Sequence, residues 1–365
     1  VSFWRRLFAR RDVALEEARA AIERGAHDEA WTAALRSTSV DARRIASRAA
    51  RARGSIELAV RLDRAADDPA DTERLFDLAG ALARSGELGA AITTLEDALA
   101  MSPFDAVLRS ELAILLARAA RPAESAATLA LHPCLADDPG ALFQFAWSSL
   151  LAGDRGAARE CVPQLAEHDA ARPLANVLAA ALDRADAVPP PRDLRDWLFV
   201  EHGALLLDAS APRAPLDPDH VARVLTPSVV AALDAVGDRP RRIIVADDDR
   251  AHATELAKRL DVELVTARAG IPEGLLVVRD ARELEPLLAH VAVHASVRTL
   301  AWTLDTARCA LVADLVGTIL HRTASAPELA PALDLERYVT VRAARLPPAV
   351  ARTARPFAPD APLAW

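Results

Sequence analysis

Residues 72–103 read TERLFDLAGALARSGELGAAITTLEDALAMSP, and this stretch decides the fold. Leu75, Leu78, Ala79 and Leu82 recur at helical spacing. Ala91, Leu95, Ala98 and Leu99 form a second stripe, which Pro103 ends. Gly86 stands between them, where a helix stops, because glycine takes the left-handed cap conformation without a Cβ penalty. Ala79 and Ala91 are small where two paired helices must cross closely.

The pattern resembles a tetratricopeptide (TPR) unit. That family carries an aromatic, x2-L-G-x2-Y, then A-x3-F, then P. Here Leu75, Leu78, Ala79 and Leu82 are followed by Ala91, Leu95 and Pro103, so spacing is kept while leucine replaces the aromatics. Weaker copies surround the central one. Gly25, Gly54, Gly86, Ala120 and Gly153 are break points separated by 29, 32, 34 and 33 residues. The family period is about 34 residues. Five hairpins are expected between residues 12 and 187, with helical repeats of a related type as the structural alternative.

The resemblance implies a curved stack whose inner face is lined by the first helix of each hairpin. By register, the inner positions include Phe76, Arg84, Ile114, Arg118, Phe143, Trp147 and Leu150. This row is more apolar than the carboxylate clamps that similar families build from Lys, Arg and Asn. It reads as a groove for a protein or peptide partner. The plainer alternatives are ordinary core, or a groove filled by the chain's own later domain.

Composition narrows the function classes. The chain has 365 residues, enough for two or three domains. It is 52% hydrophobic but only 4% aromatic, which favours close-packed helices. A net charge of −8 with interspersed signs gives no electrostatic case for nucleic acid. Lys258 is the sole lysine, so no Walker A motif exists; the arginine bias fits a GC-rich, bacterial genome. Cys134, Cys161 and Cys309 form no CxxC, which suits a reducing, cytoplasmic setting. No apolar run reaches the length of a membrane span, and no signal peptide is expected.

Residues 1–11, VSFWRRLFARR, place Phe3, Trp4, Leu7 and Phe8 on one side of a short helix among four arginines. This segment is read as a cap on the first repeat, with membrane-surface or partner docking as the alternative. Residues 188–196 contain Pro189 to Pro191 and are read as a linker. Residues 197–346 alternate between strand and helix patterns, which predicts a smaller parallel-sheet, Rossmann-like domain. Within it, 197–208 reads as two short strands turned at His202-Gly203, and helical pieces end near Val236. Strands are expected at 243–246, 262–266, 275–278 and 338–341, and at 297–303 with helix as the alternative. Helices are expected at 250–260, 281–293 and 306–321. A Pro-rich tail covers 347–365. The fold class is therefore mainly α: TPR-like hairpins followed by α/β.

Chemistry-bearing clusters are few. Asp247, Asp248 and Asp249 follow the first good strand, where doubly wound sheets bind ligands. The run can hold Mg²⁺; the plain reading is a helix cap with solvated neighbours. It is similar to the acidic start of response-regulator receivers, but Asp280 reads as poorly placed for the phospho-acceptor and no lysine follows Lys258. Phosphoribosyltransferases carry a similar acidic pair, yet their Thr-Thr-Gly loop is missing here. His290 and His294 share a helical face without a third ligand. Ser296 and Ser325 lack a nucleophile-elbow context, and Cys309 reads as core. The expectation is a non-catalytic adaptor needing no cofactor or metal; the alternative is a small-ligand or nucleotide-phosphate site near Asp247 to Asp249.

Overall fold

The computed structural model describes residues 12–119, 121–188, 194–208, 217–237, 239–246, 250–267, 273–287, 297–304 and 312–319. The expected cap helix at 1–11, the break point Ala120, Pro189 to Pro191, Asp247 to Asp249, His290, His294, Ser296, Cys309, Ser325, the expected strand at 338–341 and the tail lie outside them.

Five chain reversals share one closure. The amides of Ala26, Ser55, Glu87, Arg121 and Asp154 donate to the carbonyls of Ala21, Ala50, Leu82, Leu116 and Ser149, at 2.8 to 3.0 Å. Such a bond spans the end of a helix and satisfies a carbonyl that the helix itself leaves open. Gly86 sits in its reversal at φ 88, and Gly25, Gly54 and Gly153 are also left-handed. A side chain there would be strained.

These reversals join α1 (Val13–Glu23) to α2 (His27–Ala34), α3 (Val40–Ala52) to α4 (Ile56–Asp67), α5 (Thr72–Arg84) to α6 (Leu88–Met101), α7 (Ala106–Arg118) to α8 (Pro122–Leu129), and α9 (Pro139–Leu151) to α10 (Arg155–Glu167). Carboxylates of Asp12, Asp71, Asp105 and Asp138 accept amides in the first turns of α1, α5, α7 and α9.

The small residues do what the register predicts. Ala18 and Ala30, Ser47 and Ala59, Ala79 and Ala91, Ala113 and Ser125, and Ala146 and Ala158 are all fully buried. Two of these pairs touch through a hydrogen bond. Ser47 Oγ donates to Ala59 O at 3.1 Å, and Ser125 Oγ donates to Ala113 O at 2.8 Å. A buried serine hydroxyl is tolerated because it finds that carbonyl.

Two compact units are present, residues Val1–Leu135 and Ala136–Trp365. The division falls well before the proline run where composition places the linker. Helix α11 (Arg172–Ala187) explains the difference. It packs against α12 (Leu194–His202), and Val188 joins the core beneath the sheet. Buried Arg184 of α11 donates to Val200 O at 2.9 Å and Glu201 O at 3.2 Å, holding the last carbonyls of α12. The later helices therefore belong with the sheet.

Six strands make one parallel sheet: β1 (Leu205–Leu206), β2 (Arg242–Val245), β3 (Glu263–Thr266), β4 (Gly274–Asp280), β5 (Val297–Leu304) and β6 (Leu315–Ile319). Their spatial order is β1-β6-β5-β4-β2-β3. From β2 onward this is the doubly wound order 2-1-3-4-5, so the switch point lies between β2 and β4. One face, with Ile243, Val245, Val277 and Trp302, packs under α13 (Pro218–Val236) and α14 (Ala251–Leu260). The other face, with Ile244, Leu276, Val278 and Val316, packs against Leu198, Ala281 and Leu284.

Four local expectations need correction. Residues 197–202 are helical, not a strand. Leu198 enters one sheet core and Phe199 the other, so consecutive apolar residues are buried without strand alternation. Residues 315–319 form a strand where a helix was expected, because the slot between β1 and β5 takes LVGTI into the sheet. Residues 281–287 are a 3-10 turn in place of a longer helix, with 288–293 outside the described residues. Residues 218–236 make one helix that carries Pro227 internally.

Candidate functional site

The inner-row residues divide by accessibility. In the first unit, Arg84 is exposed while Phe76, Ile114 and Arg118 are half-buried. In the second unit, Trp147 is half-buried and stacks on Phe143, with ring centroids 5.5 Å apart. Phe143 is only 2% exposed and Leu150 equally buried, so both serve packing and offer no face to a partner. The positions that keep some exposure are Phe76, Arg84, Ile114 and Arg118 in the first unit and, taken by itself, Trp147 in the second.

Besides Arg184, two buried arginines of the first unit were not singled out by sequence. Arg43 and Arg109 occupy the repeat position that Leu75 holds in the central hairpin, 32 residues after Arg43 and 34 before Arg109. Each reaches the end of its own hairpin's second helix. Arg43 donates to Ala65 O at 3.4 Å, and Arg109 to Thr128 O at 3.3 Å. Arg109 also binds Pro103 O, and Arg43 pairs with Asp97 at 3.1 Å. Burial lowers the Arg43 pKa and pushes the Asp97 carboxyl upward, outweighing their mutual attraction. The arginines thus locate helix ends more than they add ionic stability. The signal was present: a polar residue recurring at a core position with the repeat period.

Trp31 of α2 is buried and donates through Nε1 to Glu87 at 2.8 Å, with Arg53 over its ring at 5.0 Å. This contact ties the first hairpin to the start of α6.

The second candidate place is the carboxyl edge of the sheet. Asp280 ends β4, so the expectation that it is poorly placed at a strand end is wrong. The apolar run 275–278 continues as strand through Arg279 and Asp280. Asp280 pairs in register with Thr303 of β5, which pairs with Thr318 of β6. All three are buried, so one polar row crosses three strands. Arg282 donates to the Asp280 carboxylate from Nε at 2.8 Å, Nη2 at 3.3 Å and its backbone amide at 2.9 Å. The Thr303 hydroxyl lies 2.9 Å from Arg279 O and 3.2 Å from Asp280 Oδ2.

Beside the switch point, Arg250 donates to Thr266 Oγ1 at 2.6 Å, and buried His252 places Nε2 3.4 Å from Val277 O. Asp247, Asp248 and Asp249 follow β2 in the chain but lie outside the described residues. Among the described residues no group of three or more His, Cys, Asp or Glu is arranged to hold a metal ion. The receiver comparison still fails on chemistry: no lysine follows Lys258, and Arg282 already engages Asp280.

The cysteines differ in reactivity. Cys134 is exposed. Cys161 is buried, its Sγ 3.3 Å from Ala157 O, and burial pushes its thiol up to about 11. Since the thiolate is the nucleophile, native protein at pH 8 should alkylate at Cys134 and spare Cys161 until unfolding. Peptide mass mapping after iodoacetamide treatment checks this; modification of Cys161 in folded protein would contradict its placement.

Fold and site together describe a protein of helical hairpins followed by a parallel α/β sheet. No protein-family model matches the chain, and no curated protein matches it. Among the described residues no helix is long and apolar enough to cross a membrane.

Proposed function

We infer that the chain is a non-catalytic adaptor of TPR-like type, acting in the bacterial cytoplasm, which binds a protein partner through its helical hairpins. One observation carries the reading. Of the exposed large hydrophobic residues among those described, only Val224 belongs to the second unit, while Val13, Ile56, Val60, Met101, Phe104, Val107 and Leu131 belong to the first. Their concentration on the helical hairpins supports a partner surface there. The accessible inner row of Phe76, Arg84, Ile114 and Arg118 supplies an apolar and cationic face on α5 and α7.

Affinity capture with the purified chain, quantified by mass spectrometry, tests it. Phe76→Arg and Ile114→Arg are expected to reduce recovery of the principal captured protein at least tenfold, with the circular dichroism unchanged. Undiminished recovery by both folded variants would remove the reading. Phe143→Arg is unsuitable, because it buries a charge in the core.

A second reading places a small ligand at the carboxyl edge of the sheet. The buried row of Asp280, Thr303 and Thr318 beside the switch point supports it. A thermal-shift screen with Mg²⁺, nucleotides and sugar phosphates separates the readings, since a ligand that binds only folded protein raises the melting temperature.

A further inference from the structure

We draw no further inference here: the strongest candidate, the exposed apolar surface patch of the first unit around Met101, Phe104, Val107 and Leu131, carries nothing because acids of the same stretch are already engaged, Asp97 with Arg43 and Asp105 on the first turn of its own helix, and nothing in the structure shows what covers it.

Discussion

Gly317→Ala is expected to destabilise the second unit by ~3 kcal/mol or more, among the largest effects of any single methyl group. Gly317 lies in β6 beside Trp302 of β5. A Cβ there would stand 2.3 Å from Trp302 O and 3.0 Å from its carbonyl carbon. Both are backbone atoms in the interior of a six-stranded sheet, so the clash cannot be relieved by turning a side chain. The sign is diagnostic. Were 306–321 the helix that its periodicity suggests, alanine would stabilise by ~1 kcal/mol instead. Urea unfolding followed by intrinsic tryptophan fluorescence and by circular dichroism reads the difference. Gly89→Ala is the control: it sits in α6 with nothing within 4 Å of the new methyl, and should be neutral or stabilising.

Arg184→Met is expected to cost ~3 kcal/mol in the same assay. The variant keeps the apolar stem and deletes the guanidinium. It leaves Val200 O and Glu201 O at the end of α12 without the donor they now have. Positive charge at a helix carboxyl end also complements the helix dipole, so that contribution disappears too. Arg184→Lys should recover only part of the loss, because a single ammonium lacks the planar fork that serves both carbonyls. A wild-type urea midpoint in Arg184→Met would show that α11 and α12 are held together by apolar packing alone.

The helical hairpins were legible because their signals are local and periodic. Gly25, Gly54, Gly86 and Gly153 mark reversals by their own backbone freedom, and the alanines at the crossings announce close approach. The parallel sheet was legible in outline, since Ile243, Val265 and Leu275 sit in short apolar runs between turn residues. What failed depended on distant partners. Nothing within 197–208 records that Arg184 caps a helix there. Nothing within 315–319 records that β1 and β5 flank an open slot. Short apolar runs of this kind suit a buried helix or a buried strand equally, and the tertiary setting decides.

The inner row was legible only in part. Register gives which helix face a residue occupies; of the first unit's positions Arg84 is exposed, and Phe76, Ile114 and Arg118 are half-buried. Register does not give what lies opposite, so Phe143 and Leu150 proved to be core. Asp280 was discounted because its strand runs two residues beyond the hydrophobic stretch. Its neighbour Thr303 becomes visible only when β4 and β5 are laid side by side.

Hydrogen–deuterium exchange of the full chain, with and without its captured partner, tests the adaptor account most directly. The account predicts slowed exchange in peptides covering α5 and α7, residues 72–84 and 106–118, with the sheet unchanged. Protection confined to the carboxyl edge, around His252, Asp280 and Thr303, would contradict it and place the binding site in the α/β unit.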